Sequence, residues 1–253
     1  MSRVQRLASR VVVVTPYYQE PREWLQRCID SVRGQTLACE HIVVADGHAQ
    51  DWVDEAGVRH IRLDRSHGDY GNTPRAIGGL LAASEGATAI AFLDGDNWYE
   101  PDHIQACLEA AAQHEAADYV GSYRHLVRAD GSRLPVESTE DIGGKHIDTN
   151  CFVLLPGAYH AIARWATMPR PMALYGDRIF LAGLTREGLK GMHTGRKTVN
   201  YLCTWQSFFH AAGETPPPYA KPSLSPEGMQ RWVKGLSPRE QQVASRLAAV
   251  RVA

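Results

Sequence analysis

Cysteine is scarce in this sequence and is not arranged for either of its usual structural roles. The five cysteines are scattered and odd in number, with no CxxC spacing: Cys28, Cys39, Cys107, Cys151 and Cys203. Zinc sites need closely spaced thiols, and disulfide frameworks need paired ones. The pattern argues against both and indicates reduced thiols in a reducing compartment.

The sequence also lacks an excess of charge of either sign. It holds 27 Lys and Arg against 28 Asp and Glu, which gives a formal net charge of −1. Non-specific nucleic-acid binding needs a basic surplus that neutralises phosphates. We therefore expect no nucleic-acid partner.

No long apolar segment opens the chain. After the basic first ten residues, only four valines precede Thr15 and Pro16. A signal-peptide core or a membrane span needs a longer apolar run. We therefore expect a cytoplasmic protein.

Short apolar runs are present instead, and they alternate with segments of helical spacing. Residues 11–14, 42–45 and 89–93 are typical of buried parallel strands, whereas residues 58–63 alternate as an edge strand does. This order of strands and helices predicts an α/β fold with a mostly parallel central sheet flanked by helices.

One of the predicted helices begins near residue 73. Thr73 is a candidate cap, and Pro74 suits the first helical position. The helical spacing predicts that Ile77, Leu80 and Leu81 face inward.

The second half of the chain alternates less regularly. It predicts strands at residues 119–127, 151–155 and 199–203, a turn at 129–132, and a helix that begins near Gly176. The polar segment 137–146 is predicted to form a loop over the ligand-binding site of the fold. Ser225 and Ser237 are followed by proline and predict two C-terminal helices, the second with a capping box.

Carboxylates follow three of the predicted strands. Glu20 lies just past the first, Asp46 follows the second, and Asp94 and Asp96 follow the strand at 89–93. The carboxyl ends of parallel strands meet at one edge of a sheet, where such folds bind ligands. Asp-Gly-Asp alone could be an ordinary polar turn, but clustered carboxylates suit Mg²⁺ or Mn²⁺ held jointly with phosphates.

These motifs, in this order, resemble the family 2 glycosyltransferases, which have the GT-A fold, a Rossmann-like nucleotide-diphospho-sugar transferase architecture. The resemblance covers residues 11 to about 203. It rests on Thr15-Pro16-Tyr17 with Glu20 beyond, Asp46-Gly47, a Gly71…Arg75…Gly78 segment, Asp94-Gly95-Asp96, and Asp177 before a helix.

The resemblance implies a role for each matched position. The nucleotide of the donor would be bound by Thr15, Pro16, Tyr17, Glu20, Asp46, Arg75, Asp94, Gly95 and Asp96. Asp94 and Asp96 would hold a divalent metal, Mn²⁺ or Mg²⁺. Asp177 would be the catalytic base, and Asp148, Thr149 and Asn150 would line the sugar or acceptor pocket.

The chain departs from the family pattern at three places. Ala76 follows Arg75 where the family often has asparagine, and Gly176 replaces the glutamate that usually precedes the base. Thr204 stands about where many relatives carry a histidine that can be a third metal ligand. His193 and His210 are open as substitutes, although a lone histidine is more often structural.

The resemblance implies an inverting transferase that moves a sugar from a nucleotide-diphosphate sugar, most commonly UDP-linked, to a hydroxyl of a carbohydrate or glycoconjugate acceptor. Residues 1–213 would form the GT-A domain, with a nucleotide-binding half to about 115 and an acceptor half over 116–213. Residues 214–253 would be a proline-rich linker and C-terminal helices.

Two other functions stay open from the sequence. One is a nucleotidyltransferase that makes nucleotide sugars, and the other is an inactive carbohydrate-binding relative. The C-terminal helices could pack on the domain, which we favour, pair two subunits, or contact an anionic membrane at its inner face.

Overall fold

A central sheet organises the computed structural model, which describes residues 1–136, 146–223, 225 and 227–248. Eight strands form this sheet within the described residues, in the order β3-β2-β1-β4-β7-β6-β8-β5. Their bounds are β1 Val11–Tyr17, β2 Cys39–Ala45, β3 Arg59–Arg62, β4 Ala89–Phe92, β5 Trp98–Tyr99, β6 Tyr119–Val127, β7 Phe152–Leu154 and β8 Gly191–Leu202.

Most strands of the sheet run in one direction. Strand β1 is parallel to β2 and β4, and β2 is parallel to β3. Strand β7 is antiparallel to both β4 and β6, so β6 runs with β4, and β8 is parallel to β6. Strand β5 is antiparallel to β8. The carboxyl ends of six strands therefore lie at the same edge, and the predicted mostly parallel α/β sheet is confirmed.

Helices cover the sheet, which explains why its central strands are apolar throughout. All seven residues of β1 are buried, as expected for a strand with helices on both faces. The helices are α1 Arg3–Leu7, α2 Arg22–Arg33, α3 Asn72–Ser84, α4 His103–Ala112, α5 Ala163–Thr167, α6 Gly176–Arg186, α7 Gln206–Ala211, α8 Glu227–Gly235 and α9 Pro238–Leu247.

Helix α3 begins differently from the sequence prediction. Its cap is Gly71, at a φ of 77°, and not Thr73. Thr73 lies in the first turn, where its backbone N–H and hydroxyl donate to Oδ2 of Asp69 at 3.0 and 2.6 Å. The Asp69 side chain therefore satisfies the backbone N–H of Thr73, one of the free N–H groups of this turn.

The buried face of α3 was predicted only in part. Ile77 and Leu81 are half-buried, but Leu80 is 41% exposed. The fully buried residues of the helix include Arg75, Ala76, Gly78 and Ala82. A Cβ on Gly78 would lie 2.5 Å from Cγ1 of Val14. The helix backbone thus packs directly on β1 at Gly78, and no larger side chain fits at that position.

The second half follows the predicted order with shifted bounds. Strand β6 has the predicted bounds, but β8 begins eight residues earlier than expected, at Gly191. The capping box of Ser237 and Glu240 at the start of α9 is confirmed. The expected loop over the site lies, apart from His146, outside the described residues.

The C-terminal helices pack on the main core. Met229, Trp232 and Leu236 contact it, and Ala244 and Ala248 are buried in it. Within the described part of the chain, no helix is both long and apolar enough to cross a membrane.

Candidate functional site

A cleft of about 700 Å³ opens at the carboxyl edge of the sheet. Asp46, Asp96 and Asp177 all line it, although they lie far apart in the sequence. The other sequence-predicted residues in its wall are Pro16, Tyr17, Glu20, Arg75, Asp94, Asp148 and Thr149. One cleft therefore contains carboxylates that follow β1, β2 and β4 together with the carboxylate at the start of α6.

Three of the sequence-predicted site residues do not belong to the cleft wall. Thr15 is fully buried, and its hydroxyl lies 2.8 Å from Nε2 of His41 inside the core. Gly95 packs against Tyr17, whose Cβ would lie 3.0 Å from a Cβ placed on the glycine. Asn150 is buried behind Asp94, and its contacts are with the carboxylates of the cleft.

Arg75 is held against Asp94 at the centre of the cleft. Its Nη2 donates to Oδ1 of Asp94 at 2.6 Å, and its Nη1 donates to Oδ1 of Asn72 at 2.9 Å. The Arg75 side chain is almost fully buried. A buried guanidinium bonded at both terminal nitrogens fixes the orientation of the carboxylate that it contacts.

Asn150 links Asp94 to the other half of the cleft. The backbone N–H of Asp94 donates to Oδ1 of Asn150 at 2.6 Å, and Nδ2 of Asn150 donates to Oδ1 of Asp148 at 2.7 Å. Arg124 forms an ion pair with the same Asp148. A continuous chain of hydrogen bonds thus joins the end of β4 to β6, which makes the two sides of the cleft one rigid polar network.

Asp96 lies in a region where negative charge accumulates. Burial, followed by the charges of Asp94 and Glu20, raises the pKa of Asp96 to about 8, and the charge of Lys221 opposes that rise. The pKa of Glu20 is also raised, again chiefly by burial. A divalent cation bound to these carboxylates would remove the repulsion that opposes their ionisation.

Asp177 has a different environment. Its Oδ2 lies 2.7 Å from Nε2 of His146, and the backbone N–H of Arg178 donates to its Oδ1 at 2.6 Å. Burial raises the pKa of Asp177, but the hydrogen bond and charge of His146 outweigh it, so the pKa lies below its ordinary value. The carboxylate is therefore ionised at neutral pH.

Among the described residues, His146, Asp148 and Asp177 are grouped closely enough to hold a metal, since one ligand atom from each lies within 4.8 Å of the others. These atoms already bond to one another and to neighbours. His146 contacts Asp177, and Asp148 pairs with Arg124 and accepts from Asn150. The group is thus electrostatically satisfied as it stands. Asp94 is likewise paired, with Arg75, whereas Asp96 and Glu20 form no ion pair among the described residues, and the pKa of each is raised.

The histidines that the sequence left open as metal ligands do not line the cleft. His193 contacts Tyr123, with ring centroids 4.2 Å apart, and His210 is exposed on α7. Thr204, which stands about where relatives carry the histidine, does line the cleft.

Comparison with known sequences decides the family. The sequence model of Glycosyl transferase family 2 matches residues 12–162. The chain belongs to this family. The matched residues include the ends of β1, β2 and β4 and the Asp148 to Asn150 segment. Most of the residues that line the cleft therefore lie within the part of the chain that the family model matches.

The family 2 chain is also similar to curated polysaccharide enzymes. It is 27% identical over 123 residues to a chondroitin synthase of Pasteurella multocida (strain Pm70). The aligned segment covers 44% of this chain and 12% of that protein. It is 29% identical over 123 residues to the succinoglycan biosynthesis protein ExoW of Rhizobium meliloti (strain 1021). Here the aligned segment covers 45% of this chain and 38% of ExoW. The match spans less than half of either relative.

Solved structures share the GT-A-like fold of this family 2 chain. The S. aureus TarS fragment 1–349 in complex with UDP aligns with a TM-score of 0.57 at 12% identity, covering 94% of this chain and 70% of the fragment. A longer TarS structure gives a TM-score of 0.59 at 11% identity, covering 94% of this chain and 42% of that one. At this identity the likeness concerns the fold alone.

Gly176, where the family usually has glutamate, has a structural explanation in this chain. A Cβ on Gly176 would lie 3.0 Å from Oδ1 and 3.1 Å from Nδ2 of Asn72. Asn72 is buried and donates to the carbonyl of Ala173 at 3.3 Å. The start of α6 therefore packs against the residue that orients Arg75, and a larger side chain would disturb it.

Sequence reasoning missed several residues that line the cleft or contact its wall. His67 donates its backbone N–H to Asp46 at 3.0 Å, and its Nδ1 lies 2.7 Å from the same carboxylate. His146, Arg124 and Lys221 were not singled out either. Lys221 lines the cleft although it falls in the segment assigned to the linker, so the boundary at residue 213 stays a prediction.

Proposed function

We propose that the protein is an inverting glycosyltransferase that transfers a sugar from a nucleotide-diphosphate sugar to a hydroxyl of a carbohydrate or glycoconjugate acceptor. One observation carries the proposal. The carboxyl cluster around Asp96 and the hydrogen-bonded carboxylate of Asp177 line one cleft at the edge of the sheet. They supply two different chemistries, charge neutralisation and proton abstraction, within one binding site.

The donor nucleotide would occupy the side of the cleft formed by the ends of β1 and β2. Pro16, Tyr17 and Asp46 line this side, and His67 and Ser66 hold the Asp46 carboxylate. Asp46 is an acceptor that suits ribose hydroxyls or a base N–H. The UDP in the TarS complex and the abundance of UDP donors in the family favour UDP as the nucleotide.

Asp94 and Asp96 would hold the divalent cation, Mn²⁺ or Mg²⁺. When bound, the cation supplies Lewis-acid stabilisation of the diphosphate. Arg75 keeps Asp94 in place through its buried ion pair, and Asn150 holds the backbone of the same residue. The protein's part is to keep these oxygens oriented.

Asp177 would take the proton of the acceptor hydroxyl as that oxygen attacks the anomeric carbon. Its lowered pKa keeps it ionised, and its two hydrogen bonds fix its direction. Attack opposite the leaving diphosphate inverts the anomeric centre in one displacement. Such general-base assistance contributes roughly 10²–10⁴-fold to the rate.

Donor hydrolysis tests the proposal. The purified protein is incubated with Mn²⁺ and a set of nucleotide sugars, and the released products are identified. Release of a nucleoside diphosphate supports the transferase. Release of pyrophosphate in a parallel incubation with nucleoside triphosphates and sugar 1-phosphates indicates a nucleotidyltransferase, and no release in either incubation indicates a binding protein. The Asp96→Asn variant should lose the release. Asp30→Asn should keep it, because Asp30 is an exposed carboxylate on α2, outside the cleft.

A further inference from the structure

A lysine from the C-terminal part of the chain returns to the cleft. The backbone N–H of Lys221 donates to the carbonyl of Thr204 at 2.7 Å, and its carbonyl accepts from Gln206 at 2.9 Å. Trp205 and Lys221 form a parallel bridge between these two bonds. The segment after Pro216-Pro217-Pro218 therefore pairs with the residues that follow β8, and Lys221 lines the cleft.

Aromatic packing anchors this returning segment just before the lysine. The ring of Tyr219 lies edge-on to Trp24 at 5.7 Å and to Phe209 at 6.5 Å. Ala220 is buried next to them. The ammonium of Lys221 lies 5.8 Å from the centre of the Trp205 ring. The origin of the side chain is thus fixed, while its long stem leaves the charged end adjustable.

The positive charge of Lys221 affects the carboxyls of Asp96 and Glu20 without forming an ion pair with either of them. It lowers the pKa of both Asp96 and Glu20. Within the part of the chain that the structure describes, no carboxylate forms an ion pair with Lys221. Arg75 and Arg124, by contrast, are each committed to an aspartate. Lys221 is therefore a cation of the cleft that can still bind an anionic ligand.

We propose that Lys221 binds the β-phosphate of the donor and balances the charge that develops on the leaving diphosphate. The role rests on the proposed transfer reaction. In that reaction the acceptor oxygen bonds to the anomeric carbon, and its proton passes to Asp177. The bond from the anomeric carbon to the β-phosphate oxygen breaks, and its electron pair stays on that oxygen. An ammonium with three N–H donors stabilises this growing charge, as an electrostatic contact that strengthens in the transition state.

Nucleotide binding tests the role of Lys221. The dissociation constants of UDP, GDP, ADP, CDP and TDP, and of the matching monophosphates, are measured with Mn²⁺ by calorimetry. For the diphosphate that binds most tightly, Lys221→Ala should weaken binding about tenfold or more, since a hydrogen bond to a charged group is lost. Binding of the matching monophosphate should change little. Lys221→Arg should keep most of the diphosphate affinity.

Lys234→Ala is the matched control, because Lys234 is an exposed lysine on α8. It should change neither affinity. Melting temperatures of all variants should equal that of the wild type, since Lys221 is exposed.

The outcomes separate the two proposals. If the wild type binds none of the diphosphates, the proposed function fails and the role of Lys221 fails with it. If the wild type binds and releases a nucleoside diphosphate but Lys221→Ala does so equally well, only the role of Lys221 is overturned. An equal loss of monophosphate and diphosphate affinity would also overturn the assignment to the β-phosphate.

Discussion

His146 and Asp177 form a close hydrogen-bonded pair, with Nε2 and Oδ2 separated by 2.7 Å at the start of α6. The other oxygen of Asp177 accepts from the backbone N–H of Arg178. Both oxygens of the carboxylate are therefore held within the protein, and the carboxylate keeps one orientation. A base that is fixed in this way loses less entropy when a hydroxyl docks against it.

Replacing Asp177 by asparagine should separate chemistry from binding. The asparagine side chain would keep the size and one acceptor oxygen, but it cannot take a proton. We expect Asp177→Asn to lower turnover by about 10²–10⁴-fold while the dissociation constant of the nucleoside diphosphate stays nearly unchanged. Steady-state kinetics and calorimetry measure the two quantities, with Asp30→Asn as control. Turnover close to that of the wild type would show that Asp177 is not the base.

His146 should control the pH at which Asp177 becomes active. Burial raises the pKa of Asp177, and the hydrogen bond and charge of His146 lower it, with a smaller contribution from Arg124. His146→Ala removes the largest lowering influence, so the pKa should rise. Because the base works only when ionised, the acid limb of the turnover profile should then move to higher pH.

His146→Gln is the matched variant, since its amide can donate to the same oxygen. It should leave the acid limb closer to its wild-type position than alanine does. The profiles are recorded with melting curves at each pH, so that unfolding is not mistaken for titration. An acid limb that does not move in His146→Ala would mean that His146 is only a packing residue.

The strands and their acidic ends could be predicted from the sequence because both are encoded locally. An apolar run such as 89–93 and the Asp-Gly-Asp after it need no knowledge of distant residues. The parallel sheet then brings the ends of β1, β2 and β4 to one edge. For this reason Asp46, Asp94 and Asp96 were found in the cleft as expected.

The rest of the site depends on contacts between distant segments, and these leave no local pattern. Lys221 reaches the cleft through backbone bonds to Thr204 and Gln206, in a stretch whose prolines suggested a linker. His146 acquires its role only by meeting Asp177. The face of α3 was predicted only in part because Gly78 packs closely on β1, which apolar spacing does not reveal.

The affinity of the cleft for a cation should depend on pH through Asp96. Burial and the charges of Asp94 and Glu20 raise its pKa to about 8, so the carboxyl is largely protonated at neutral pH. A cation must displace that proton. We therefore expect the affinity for Mn²⁺ to rise by up to about tenfold per pH unit as the pH approaches 8, and to level off above it.

The same pKa predicts the stability of the ligand-free protein. A carboxyl whose pKa is raised in the folded state favours folding while it is protonated. The Asp96 contribution should therefore be lost as the pH rises from about 4 to about 8. Calorimetric titration with Mn²⁺ and melting curves across this window measure both effects. Asp96→Asn should abolish them, and Asp30→Asn should not; a flat Mn²⁺ affinity in the wild type would contradict the proton displacement.

Gly176→Ala should disturb the donor site from a distance. In a helix interior, alanine is ordinarily better than glycine, by up to about 1 kcal/mol. Here the added Cβ would lie 3.0 Å from Oδ1 of Asn72, which is buried and bonded to Arg75. Moving Asn72 costs a buried hydrogen bond of about 0.5–1.5 kcal/mol and loosens the arginine that orients Asp94. We expect a melting temperature lower by a few degrees and weaker binding of the nucleoside diphosphate.

Gly228→Ala is the matched control, because Gly228 lies in the first turn of α8 with nothing within 4 Å of the added Cβ. It should raise the melting temperature without changing nucleotide affinity. If both substitutions stabilise the protein equally and leave binding intact, then Asn72 can move freely and does not hold Arg75 in place.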